Sequence, residues 1–154
     1  MPHITAQPMY PFFHSDIQLG HPPYEINLWI PLNPPSSSEG YGFSISSLED
    51  SMKIFKKYNF DILKISEDGR KSISNHLNSI SKLQSFDYGQ AVLFDTRCLH
   101  SSQALKNHTR VSIDVRITPV DLFHKFNHHY QGIGRKPVIY KPGDGYNIKS
   151  IDNL

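Results

Sequence analysis

Runs in which apolar and polar residues alternate, broken by segments rich in Pro, Gly, Asn and Ser, predict a mainly β chain: a sandwich or barrel with one or two minor helices. The alternation is clearest in YEINLWIPL (24–32) and TRVSIDVRI (109–117). Turn composition separates such runs, as in NPPSSSEG (33–40). Strands are predicted near 4–10, 12–18, 25–32, 41–46, 60–65, 90–95, 98–103 and 109–117, about eight in all, as in a small sandwich or barrel.

The elements follow in order. In 24–32, Ile26, Leu28, Ile30 and Leu32 share one face and Glu25, Asn27, Trp29 and Pro31 the other, because strand side chains repeat every two residues. After the 33–40 loop, YGFSIS (41–46) alternates again. EDSMKIFKK (49–57) places Met52 and Phe55 at helical spacing behind an acidic first turn, which predicts a short helix. Residues 66–86 are polar and rich in Ser and Asn, and are expected to form an insertion with one weak helix near 70–82. DYGQAVLFD (87–95) reads as a turn and a strand. CLHSSQ (98–103) and 109–117 are predicted to form a hairpin around the Asn in ALKNH (104–108). The tail 118–154 is rich in Pro, Gly, Tyr and His without clear periodicity, and is expected to wrap the outside of the sheets. No internal repeat is visible, and 154 residues fit a single domain spanning 1–154.

Composition narrows the functional classes. At 38% hydrophobic, 12% aromatic and 19% charged residues, the chain belongs with globular proteins rather than disordered ones. Its net charge of +2 is scattered, without the basic stripe that follows a phosphate backbone, so no nucleic-acid partner is expected. No apolar run is long enough to span a bilayer, and MPHITAQPMYPFF lacks the features of a secretion signal, so no membrane partner is expected. Cys98 is the only cysteine, which excludes an internal disulfide and cysteine-based zinc sites and fits a cytoplasmic setting. The oligomeric state is not readable from the sequence.

The triplet His14-Ser15-Asp16 raises the possibility of a metal site, because on a strand residues two apart project from the same face and can grip one ion. His100, after the strand AVLFD, is the best third ligand. Two neutral imidazoles and one carboxylate make the facial triad of non-haem Fe(II), which leaves coordination positions open for a keto acid and O2. Arg110 follows His100 by ten residues, with Ser112 on the same strand face. A guanidinium forks onto a carboxylate, so Arg110 suits the far end of a dicarboxylic acid and Ser112 adds a hydroxyl. Asn27, on the inward row with Trp29, is expected to line the pocket beside the cosubstrate.

Each residue also has a plainer reading. His14 and Asp16 fit a polar loop, His100 a satisfied core histidine, and Arg110 a salt bridge with Asp114 or Asp95. Glu25 is the alternative carboxylate if Asp16 faces away, and His21 is unassigned. Cys98 is expected to pack as a small core side chain. His124, His128 and His129 have spacings of four and five that would suit zinc on a helix, against a solvated tail.

HSD, EINLWIPL, YGQAVLFDTRCLH and NHTRVSIDVR resemble the Fe(II)/2-oxoglutarate-dependent dioxygenases, on the side of that superfamily that is phytanoyl-CoA-hydroxylase-like and streptomycin-biosynthesis-oxygenase-like. The resemblance covers residues 10–117 and is most specific in its last third. It implies a double-stranded β-helix (jelly roll, cupin-like), with Fe(II) held by His14, Asp16 and His100 and 2-oxoglutarate held by Arg110 and Ser112. It further implies O2-dependent decarboxylation of the keto acid to succinate and CO2, coupled to hydroxylation of a small-molecule substrate. The presence of Asp16 favours a hydroxylase over the related halogenases, which lack the carboxylate ligand. Two features depart from the pattern: only 13 residues precede His14, and SSSEGYGFSIS stands where relatives often show an Asn-rich strand start. The competing readings are a catalytically silent jelly-roll binding module and a cupin-like metalloenzyme that does not use 2-oxoglutarate.

Overall fold

The computed structural model describes residues 12–19, 21–33, 43–61, 64–65, 72–81, 84, 88–102 and 110–126. They contain β1 (Ile26–Pro31), β2 (Phe43–Ile45), α1 (Leu48–Lys57), α2 (Ser74–Ile80), β3 (Val92–Asp95), β4 (His100–Ser102), β5 (Ser112–Ile117) and α3 (Val120–Phe126). The strands form two antiparallel sheets, one of order β3-β1-β5 and one of order β2-β4. This is a small β-rich fold, and among the described residues the two sheets share no strand and do not close into a barrel.

The sheets meet through aromatic side chains. Trp29 of β1 stacks on Phe43 of β2 with ring centroids 4.7 Å apart, and Phe94 of β3 lies against Phe43 at 5.8 Å. Cys98 completes this buried cluster. A second cluster joins α1 and α2 to the segment around Phe13: Phe13, Ile17, Ile54, Phe55, Ile65, Ile73, Leu77 and Leu99 are all buried there.

Helix α1 forms for local reasons. Ser47 caps it, its hydroxyl accepting from the Asp50 backbone N–H at 3.0 Å, and Glu49 and Asp50 sit in the first turn with Lys56 and Lys57 in the last, matching the helix dipole. Its buried face is Ser51, Ile54 and Phe55. Phe55 is fully buried, so Phe55→Ala is expected to cost about 3–4 kcal/mol of stability. Chemical denaturation checks this, and a loss below about 1 kcal/mol would contradict the packing described.

Several expected elements differ. Residues 12–18 are not a strand: a single bridge at His14 is followed by a 3-10 turn over Asp16–Leu19. The Ser15 N–H donates to Gln18 Oε1 at 2.6 Å and the Gln18 N–H to the Ser15 carbonyl at 3.0 Å, so the S-x-x-Q sequence turns the chain. Of the predicted strand 60–65, the described residues 60, 61, 64 and 65 are not in a strand either. Asn59 and Phe60 adopt positive φ (52° and 59°), and the Asp61 carboxylate then accepts from the Lys64 N–H at 3.0 Å, opening a helical turn that includes Lys64 and Ile65. The predicted 98–103/109–117 hairpin does not form, because β4 pairs with β2 while β5 finds a full six-residue register on β1. Among the described residues, three helices of seven or more residues occur where one or two were expected, the extra one being α3 in the predicted tail. The expected strand 4–10 and the rest of the tail, 127–154, lie outside the described residues.

The three-stranded sheet has an unusual polarity. On its inner side Asn27 lies opposite Phe94 and Arg116, Trp29 opposite Val92 and Asp114, and Pro31 opposite Ser112. On its outer side Ile26, Leu93, Ile113, Val115 and Ile117 are exposed. Thus β5 turns Ser112, Asp114 and Arg116 inward and its aliphatic side chains outward. Among the described residues, no helix is long and apolar enough to cross a membrane.

Candidate metal centre

Backbone bonds converge the three predicted ligands. The His14 N–H donates to the His100 carbonyl at 2.9 Å and the His100 N–H to the His14 carbonyl at 2.7 Å, which brings the two rings to a centroid distance of 4.4 Å. The Asp16 N–H donates to the Thr96 carbonyl at 3.1 Å, holding the turn against the β3–β4 connection. One ligand atom from each of His14, Asp16 and His100 lies within 4.8 Å of the other two, and Asp16 Oδ1 is 3.6 Å from His100 Nε2. Asp16 and His100 are buried and His14 is half-buried. Although the shared strand face that suggested the His14–Asp16 pair is absent, the bridge and the 3-10 turn bring the same groups together.

The hydrogen bonds prepare these side chains as ligands. His100 Nδ1 donates to the Cys98 carbonyl at 3.0 Å and His14 Nδ1 to the Phe12 carbonyl at 3.1 Å, leaving Nε2 of each ring as the electron-pair donor. Asp16 Oδ2 accepts from Asn27 Nδ2 at 2.7 Å and from Arg116 Nη2 and Nε at 2.8 and 3.1 Å. The amide nitrogen of Asn27 is assigned by its carboxylate partner, so Oδ1 is its other polar atom. Fully buried, that Oδ1 has no hydrogen-bond partner among the described residues.

Electrostatics favour the protonation states a divalent cation needs. Burial, and then the neighbouring His100, pushes His14 down to about 4, and burial likewise pushes His100 down. Burial acts to raise Asp16, but His100, Arg116 and the hydrogen bonds from Arg116 and Asn27 outweigh it and hold the carboxyl below its usual value. The Arg116 guanidinium, permanently charged, holds Asp16 down whether or not His100 carries a proton. Two neutral imidazoles beside a carboxylate fit a first-row divalent ion such as Fe(II).

A pH dependence follows. Unfolded imidazoles titrate near 6.5, whereas His14 is lowered to about 4, so between these values the unfolded chain binds more protons than the folded one. Stability of the metal-free protein is expected to be full above about pH 6.5 and to fall as the pH drops towards 4. Asp16 acts in the same sense lower down, its contribution being lost as the pH falls below about 3.8. Urea midpoints at pH 7.5 and 5 check this, and a higher midpoint at pH 5 would contradict neutral imidazoles.

The remaining predicted residues lie on the same inner wall or outside the site. Arg110 holds its guanidinium over the Trp29 ring, 5.5 Å from the centroid, and burial lowers its pKa. Asp95 pairs with Arg97 at 2.8 Å, and Asp114 lies 3.8 Å from Arg116. Ser112 is half-buried opposite Pro31. Glu25 pairs with His21 Nδ1 at 2.9 Å, so the alternative carboxylate is committed away from the triad. Burial pushes the Cys98 thiol up to about 11, in keeping with a protonated core side chain. His124 is exposed on α3, and His128 and His129 lie outside the described residues. A cavity of about 200 Å3 lined by Lys53, Lys57, Tyr58 and His76 shares no residue with the triad. Arg116 is the residue bound to Asp16 that the sequence reading missed, although it falls on the same two-residue row as Arg110 and Ser112.

Comparison with known protein families finds no matching family, and comparison with curated proteins finds no significant match.

Proposed function

We propose that the chain is an Fe(II)- and 2-oxoglutarate-dependent dioxygenase that hydroxylates a small molecule in the cytoplasm, and that its two facing sheets belong to a double-stranded β-helix. The observation that supports this best is the convergence of His14 and Asp16 with the distant His100 within 4.8 Å of one another, in surroundings whose burial favours neutral imidazoles. His14 Nε2, His100 Nε2 and Asp16 Oδ1 hold the ion, and Arg110, on the inner wall, receives the distal carboxylate of 2-oxoglutarate with help from the Ser112 hydroxyl. The orphaned Oδ1 of Asn27 offers a buried acceptor to a bound hydroxyl or water. Trp29, Phe43 and Phe94 exclude solvent from that side. Bound iron supplies the chemistry that couples O2-dependent decarboxylation of the keto acid to hydroxylation of a C–H bond.

The test is succinate release from purified protein supplied with Fe(II), 2-oxoglutarate and O2, which is expected to require all three. A folded, iron-loaded sample that neither releases succinate nor binds 2-oxoglutarate would reject the reading.

A further inference from the structure

We propose that Arg116, seconded by Asn27, is a positioning residue that keeps Asp16 a one-oxygen ligand and so preserves an open coordination position at the ion. This rests on the reading of His14, Asp16 and His100 as ligands. The geometry behind it is a division of labour between the two carboxylate oxygens. Oδ2 takes three donors: two nitrogens of the planar Arg116 guanidinium, at 2.8 and 3.1 Å, and Asn27 Nδ2 at 2.7 Å. Oδ1 faces His100 Nε2 at 3.6 Å, on the side where the imidazoles converge.

An unrestrained aspartate has two equivalent oxygens and rotates easily about its last torsion, so it can chelate an ion through both. Chelation would consume a position needed for a keto acid and O2. Tying Oδ2 down removes that option, because turning it towards the ion breaks three hydrogen bonds to an ionised carboxylate, two of them from a charged donor, inside a buried site. The restraint comes from elements that the strand pairing fixes independently: Asn27 on β1 and Arg116 on β5 are register partners, and Asp16 lies 100 residues from Arg116. Arg110, two residues ahead of β5, thereby serves the cosubstrate, and Arg116, within the strand, the ligand carboxylate.

The probe is Co(II), whose absorption reports coordination number, followed by titration of the Co(II)-loaded protein with 2-oxoglutarate. Wild type is expected to bind Co(II) and then 2-oxoglutarate with a change in the cobalt spectrum. In Arg116→Met the Co(II) spectrum is expected to shift towards higher coordination before any cosubstrate is added, and 2-oxoglutarate affinity to fall about tenfold or more. Arg116→Lys, which keeps the charge but not the fork, is expected to recover part of both. If Arg116→Met does not fold, Asn27→Leu reads the same effect, with a smaller shift in the same direction. A folded Arg116→Met protein with wild-type cobalt spectrum and 2-oxoglutarate affinity would overturn the positioning role and leave the metal site intact. Wild type that binds no Co(II) would overturn the metal site itself, and this role with it.

Discussion

Replacing His100 with Ala is expected to reduce Fe(II) affinity by more than about 100-fold, since loss of a direct ligand should exceed the 10–100-fold typical of losing a partner behind one. Succinate release should disappear with it. The ring is also structural: it packs 5.0 Å from Phe94, 5.9 Å from Phe43 and 4.4 Å from His14, so the variant should lose about 2–3 kcal/mol of stability. Metal titration and denaturation must therefore be read together, on protein kept well below its unfolding midpoint. The pair of measurements separates the functional classes. A jelly-roll binding module that does not use the triad would lose the stability but show no iron affinity dependent on His100.

Arg110→Leu is expected to act on the cosubstrate alone. A bidentate charged pair contributes about 2–3 kcal/mol, so the KM for 2-oxoglutarate should rise roughly 30- to 150-fold while Fe(II) affinity stays within about twofold. The guanidinium also rests on Trp29, a contact worth about 0.5–1 kcal/mol of stability. Steady-state kinetics at varied 2-oxoglutarate, with metal titration alongside, check the split. Unchanged activity would favour a cupin-like metalloenzyme that uses no keto acid. Equal losses in metal and cosubstrate binding would mean that Arg110 supports the site as a whole.

The parts of this architecture legible in the sequence are those whose pattern is longer than one turn. In β1 and β5 six-residue runs repeat every two positions, and their inner rows, Asn27 with Trp29 and Ser112 with Arg116, are the rows that alternation defines. Helix α1 was readable from its acidic start and from Phe55. Where a few side-chain to backbone bonds decide the conformation, alternation misleads. Ser15 and Gln18 curl 15–19 into a 3-10 turn, and Asp61 starts a helical turn where a strand was expected. The partner of β4 was hidden for a different reason: sequence neighbours favour a hairpin, but the pairing followed the longer register that β1 offered to β5. The triad survived these errors because His14 and His100 are joined by the backbone rather than by a shared strand face. Arg116 was overlooked because its partner, Asp16, is 100 residues away and no local pattern connects them.

The inverted polarity of β5 also bears on how the chain reaches this arrangement. Sliding β5 by one residue along β1 would carry Ile113, Val115 and Ile117 inward and push Ser112, Asp114 and Arg116 out, an exchange that water-aversion alone would reward. Against it stand the Asp16–Arg116 pair and the clasp at the other end, where the Val111 N–H donates to Asn33 Oδ1 at 2.7 Å and the Leu32 N–H to the Val111 carbonyl at 2.8 Å. The charges that hold the Asp16 carboxylate thus also favour one of two rival alignments of the strand.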